Sequence, residues 1–167
     1  NVEITSLVAL SVAFLSALSL IVFGPAASPL FGLDGLGFAA RLDGVSAIML
    51  LLVSFVGWVV VRYGAIYMDG EARQGPFTGW LCATLASVML LVIAGNIMQL
   101  FLAWMATSMS LHKLLLHYPE RIVAQRAARK KWVTARLGDV ALFLAVAMIY
   151  AQYQTGDIGE ILAAARL

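Results

Sequence analysis

Apolar residues along this chain come in long unbroken runs, five of them of helical length, and not in the alternation of a half-buried strand. The stretches Ile4 to Leu33, Gly44 to Val61, Gln74 to Lys113 and Leu137 to Gln154 are nearly free of charge, with Arg62 in the tail of the second. A helix crosses about 30 Å of hydrocarbon with roughly 20 apolar residues, and the third stretch is about twice that long. It must turn within itself, and Gly95-Asn96, a poor helix pair with a polar side chain, is the place for the turn. The pattern predicts helices over 4–24, 43–66, 78–95, 97–117 and 130–153, an all-α polytopic membrane bundle of about five spans in a single transmembrane region. Strands are not expected, because a barrel would show short alternating segments.

Composition agrees: 62% of residues are hydrophobic and the mean hydropathy is +0.93, so most of the chain belongs in lipid or against other protein. The net charge of +2 conceals an uneven distribution. Arg121, Arg126, Arg129, Lys130, Lys131 and Arg136 fall in the basic segment 118–136 between the fourth and fifth helices. Arg62 and Arg73 flank the link between the second and third, which parity places on the same side. The opposite side offers Arg41 and Arg166, so the basic loops and the N-terminus are expected to face the cytoplasm. Tyr118-Pro119-Glu120-Arg121 reads as a helix start, which makes the basic run helical and continuous with the fifth span. A basic helix between membrane spans points to anionic lipid or to an acidic soluble partner, not to nucleic acid.

The first run has no basic n-region and is too long for a cleavable signal peptide. Asn1 at the start and Arg166-Leu167 at the end read as a processed chain or a portion of a longer one. Cys82 is single and sits deep in an apolar run, where it acts as a small apolar residue. Ala9, Ala13 and Ala17 on the first helix, and Ala141 and Ala145 on the fifth, have the four-residue spacing that lets membrane helices approach closely. Trp58, Trp80 and Trp132 lie near expected interfaces.

Ionisable groups within membrane segments cost about 2.5 to 3.5 kcal/mol at the centre on insertion scales, so each is a candidate for function. His112 and Lys113 end the fourth helix, Arg136 and Asp139 begin the fifth, and Asp43 opens the second from the far side. Lys113 has two readings: its stem snorkels to the interface, or it or His112 pairs with Asp139, which enters from the same side to similar depth. Arg136, one turn from Asp139, competes for that carboxylate. His112, Lys113, Arg136, Asp139 and Asp43 are therefore the ion-path candidates, since burial and neighbours bring such groups into a titratable range. His112 and His117 are five apart, off a common helix face, and no acidic or Cys residue completes a metal set. Neither a phosphate loop nor a nucleophile–base set is present, so no metal, cofactor or catalytic role is expected of this chain.

The stretches Leu42-Asp43-Gly44-Val45-Ser46, Tyr63 to Glu71, Asn96 to Trp104 and Val133 to Val140 resemble, in order and spacing, the proton-translocating membrane subunits of respiratory complex I. The likeness is greatest to the L subunit and the related Mrp-type cation antiporters, and runs from about Leu42 to Gly156. The resemblance implies a fold of well over ten helices with inverted five-helix repeats, of which this chain covers an early portion lacking one preceding helix. It supports Asp43, Arg136 and Asp139 as matching positions. It also implies a glutamate after Trp104, where this chain has Met105, a residue that cannot carry a proton. His112 and Lys113 are then the proposed substitutes.

The stretches Ala103 to Leu116, Tyr118 to Arg121 and Ala124 to Lys131 are similar to one branch, the membrane subunits of DAB-type inorganic carbon accumulation complexes. That resemblance implies a bacterial inner-membrane location. It further implies a large zinc-containing partner of the DabA type, similar to β-carbonic anhydrases, and cation flow that drives one-way hydration of carbon dioxide. A respiratory proton pump and a non-conducting anchor for a soluble enzyme are the competing expectations.

Overall fold

The computed structural model describes residues 2–28, 31–33, 36–71, 73–117 and 122–165. Among them are six helices: α1 (Val2–Phe23), α2 (Gly44–Tyr67), α3 (Gln74–Val92), α4 (Ile97–Leu115), α5 (Ile122–Tyr153) and α6 (Ile158–Ala164). Of the described helices, α2, α3 and α5 are long and apolar enough to cross a membrane. Each of the first five helices packs against its neighbours in sequence, α2 to α5 through short links and α1 through the longer link to α2. Outward faces carry many large apolar side chains: Val45, Ile48, Ile66, Leu137 and Met148 are all exposed, which suits lipid or further protein rather than water.

The expected helices are present, with α5 beginning well before residue 130 and carrying the basic run into the membrane as one 32-residue helix. One expectation needs correction. The link from α1 to α2 contains strands: β1 (Ala26–Ala27) pairs antiparallel with β4 (Arg41–Leu42), and β2 (Phe31–Leu33) with β3 (Leu36–Phe38). Outside the helices this link must still satisfy its backbone N–H and C=O groups, and a short folded-back ribbon does so locally. The Ala141 and Ala145 face of α5 is exposed and free to meet further protein, while the α4-facing stripe is Leu142, Val146, Ile149 and Tyr150, about 100° further round the helix. Ala13 of the corresponding α1 set is buried beside Leu50 and Ser54 of α2, while the side chains of Ala9 and Ala17 lie outside the described residues. Tyr118 to Arg121 and Arg166 also lie outside them.

The far side is tied together at the α3–α4 turn. Asn96, fully buried, caps α4 by accepting from the Met98 N–H at 2.8 Å. Gly95 donates its N–H to Ala39 O at 2.7 Å, and Gly95 O accepts from Ile158 N at 2.9 Å. Gln99 Oε1 accepts from the buried Ala39 N–H at 2.9 Å. One turn thus joins the α1–α2 ribbon to the start of α6. On the basic side, Arg73 Nη1 donates to His117 O at 3.4 Å and Phe77 meets the His117 ring edge-on, linking the two basic loops.

Asp43 caps α2, its Oδ1 accepting from the Ser46 N–H at 2.8 Å, with Arg41 3.6 Å from Oδ2. The Ser46 N–H chiefly, with help from Arg41, holds this carboxyl below its ordinary value of 3.8. A lowered folded-state value means the cap's contribution is complete above the unfolded value and is lost as pH falls through the folded one. Asp43→Ala is expected to cost about 1 kcal/mol at neutral pH. Asp43→Asn, an equally good neutral cap, should melt like wild type at neutral pH without the cap-dependent loss below about pH 4. Detergent melting curves against pH check both.

Candidate ion-path site between the fourth and fifth helices

Helix α4 carries Trp104, Ser108 and His112 four residues apart, which puts them on one face. α5 runs antiparallel along that face and meets each in reverse order. Asp139, 5% exposed, accepts from the Trp104 indole N–H at 3.1 Å. Arg136, one turn nearer the basic end, places Nη2 2.6 Å from Asp139 Oδ2 and lays its guanidinium 5.9 Å from the Trp132 ring centroid. Lys131 reaches across to donate to Ser108 O at 3.3 Å. His112 shares a cleft with Gln125, Ala128, Arg129 and Trp132, and its Nδ1 is buried without a hydrogen-bond partner among the described residues.

These contacts form a polar ladder about 12 Å long, the rise of eight helical residues. It starts at the basic end and stops at Asp139. Beyond Trp104 the interface turns apolar: Ile97, Phe101 and Val146 are buried together, with Met105, Leu142, Ile149 and Tyr150 packed on them. Met105 therefore belongs to a dry plug and not to the ladder. The interface is thus polar from the basic end of the two helices to a buried carboxylate and apolar beyond it.

The structure sorts the sequence candidates. It brings Arg136 and Asp139 into contact and sets His112 on the same face two turns away. It corrects the expected pairing of Lys113 with Asp139: Lys113 is exposed, and Arg136 holds the carboxylate. The expected pairing of His112 with Asp139 is corrected likewise, because Trp104 is the residue of α4 that reaches Asp139. The reason is angular. Neighbouring helix residues point about 100° apart, so a helix that turns His112 toward α5 turns Lys113 away. Asp43 caps α2 on the far side and does not join the ladder. Arg126, Arg129 and Lys130 are exposed, whereas Lys131, expected to face lipid or a partner, turns inward. Sequence reasoning missed Lys131, Ser108 and the donor role of Trp104. The four-residue spacing of Trp104, Ser108 and His112 was the available signal.

Comparison with known proteins places this geometry. Residues 34–78 match the family model "NADH-Ubiquinone oxidoreductase (complex I), chain 5 N-terminus", and residues 94–166 match "NADH:quinone oxidoreductase/Mrp antiporter, TM". The chain is 37% identical over 118 residues to the "Probable inorganic carbon transporter subunit DabB" of Hydrogenovibrio crunogenus, covering 70% of this chain and 23% of that protein. It is 32% identical over 168 residues to the "Probable inorganic carbon transporter subunit DabB2" of Halothiobacillus neapolitanus, covering 96% of this chain and 30% of that protein. NADH-quinone oxidoreductase subunit L of Escherichia coli is 32% identical over 125 residues, covering 75% of this chain and 20% of that one. The chain thus spans less than a third of the length of these relatives. In fold it is similar to a chain of the membrane-bound sulfane sulfur reductase, an archaeal respiratory membrane complex, with a TM-score of 0.80 at 17% identity over 96% of this chain and 33% of that one. The two family matches and the relatives above 30% identity agree: the chain belongs to the complex I and Mrp antiporter family of membrane subunits.

Proposed function

We propose that this chain works in a membrane subunit of an inorganic carbon uptake complex, moving a cation to drive a zinc-containing, carbonic anhydrase-like partner of the DabA type that hydrates carbon dioxide to bicarbonate. The observation that carries the ionic part is the α4–α5 ladder ending on buried Asp139, paired with Arg136 and held by Trp104. A charge at that depth is expensive and serves best as a waystation. His112 and Lys131 are the inward-turned cationic or proton-accepting groups on the basic side of Asp139. Lys113, pointing outward, stands at the mouth of the path or meets another helix.

The carbon part rests on the similarity to two DabB-type proteins and on Met105 in the dry plug. The similarity to subunit L favours a second reading, a proton pump of NADH–quinone oxidoreductase, against which Met105 counts. By the cluster of basic residues in the N-terminal part of α5, that end of the bundle faces the cytoplasm, and the likeness to DabB-type proteins of bacteria supports a bacterial inner membrane.

The test is growth in air of a cell lacking carbonic anhydrase, complemented with the gene for this protein and its neighbouring open reading frames. Rescue that collapses with a protonophore or sodium ionophore is expected. Rescue indifferent to the gradient would leave a non-conducting scaffold, and failure to rescue, with NADH oxidation lost on deletion, would leave the respiratory pump.

A further inference from the structure

At the basic end of the α4–α5 interface, the cleft lined by His112, Leu116, Gln125, Ala128, Arg129 and Trp132 holds about 450 Å³. A neighbouring cleft of about 360 Å³, lined by Gln125, Arg126, Arg129 and Lys130, shares Gln125 and Arg129 with it. Among the described residues neither contains a carboxylate, α4 has none, and α5 has none before Asp139. Two cations of the chain are matched by carboxylates, Arg41 by Asp43 and Arg136 by Asp139. Here Arg126, Arg129 and Lys130 stand exposed within two turns with no such match. Among the described residues nothing supplies the complement, and an external anion fits it.

The clefts are also graded. Trp132, Leu116 and Ala128 give the inner one an apolar wall. Arg126 and Lys130 wall the outer one, and Arg126 precedes Trp132 by six residues, about 9 Å along the axis toward water. Positive charge above an indole at the membrane boundary, with an apolar wall beneath, fits a phosphate ester that carries acyl chains. A free oxyanion would have no use for the Trp132 and Leu116 wall.

We propose that the paired clefts hold the headgroup of an anionic phospholipid, its phosphate on Arg129 with Arg126 and Lys130 flanking, and its first acyl carbons against Trp132 and Leu116. Arg129 is suited to this role because its guanidinium donates two parallel hydrogen bonds to one phosphate. The inference does not depend on the ionic reading, since counting bound lipid needs no transport.

The intact complex containing this chain, purified in neutral detergent, is titrated separately with phosphatidylglycerol and phosphatidylcholine, and bound lipid is counted by native mass spectrometry. Phosphatidylglycerol should be retained in preference. Arg129→Gln should weaken it about fivefold, the loss expected for one basic residue at an anionic surface. Arg129→Lys should lose less, and Lys113→Gln, an equal charge loss at an exposed position outside both clefts, should change it less than about twofold. Equal losses for Arg129→Gln and Lys113→Gln would reduce the effect to diffuse attraction and overturn the site. Inorganic phosphate bound in phosphatidylcholine micelles, with no preference for phosphatidylglycerol, would give the clefts to a free oxyanion and overturn the lipid assignment.

Discussion

Asp139→Ala should cost about 3 to 5 kcal/mol, the loss typical when one partner of a buried ion pair is removed. Arg136 would keep its charge in a site where its Nε is already buried without a hydrogen-bond partner among the described residues, and the Trp104 N–H would lose its acceptor. Membrane abundance and the detergent melting temperature should both fall. Asp139→Asn keeps an oxygen for Trp104 but leaves Arg136 facing a neutral group, so its stability should lie between wild type and Asp139→Ala. Replacing both partners, Arg136→Met with Asp139→Leu, removes the unpaired charge and should restore most of the lost stability. The double variant is the informative one. A purely structural ion pair would leave its transport intact, whereas a waystation would leave a folded protein that moves no ions.

Gly95→Ala should be the most damaging change on the far side. A Cβ at Gly95 would lie 2.8 Å from Ala39 O and 3.1 Å from both Ala39 C and Cβ, none of them the movable end of a long side chain. Either the ribbon or the α3–α4 turn must shift, and with it the Gly95 N–H to Ala39 O bond and the Ile158 N–H to Gly95 O bond. Overpacking of this kind costs about 1 to 3 kcal/mol. Gln99→Leu attacks the same joint from α4 by leaving the buried Ala39 N–H without its acceptor, and should also cost about 1 to 3 kcal/mol. Because both act on Ala39, the double variant should lose less than the sum of the two. Thermal melts of the single and double variants check this, and ion selectivity among molecules that remain folded should not change.

The helices were legible because a bilayer leaves a coarse imprint: long apolar runs, a polar pair at Gly95-Asn96 where one run was too long, and a capping Asp43 before Gly44. The ribbon between α1 and α2 was not, since its residues pair over 26–42 through backbone groups that carry no periodic signal. Nor was α6, only seven residues long, whose start depends on the Asp157 cap and on contact with the α3–α4 turn. In the site, Arg136 with Asp139 could be read directly, because residues three apart meet on any helix. The rest required knowing which way α4 faces. Depth alone made Lys113 and His112 equal candidates for Asp139, and rotation separated them. The same rotation turned Lys131, one of several indistinguishable basic residues, toward Ser108.

The most direct measurement is cation flux in proteoliposomes that contain the whole complex, with proton- and sodium-sensitive dyes inside, comparing wild type with the stability-restored Arg136→Met/Asp139→Leu double variant. Gradient-driven flux in the wild type, and its loss in the double variant at unchanged assembly and melting temperature, is the predicted result. Undiminished flux in a folded double variant would show that ions pass without the buried carboxylate, and the polar ladder between α4 and α5 would then be a structural seam and not a path.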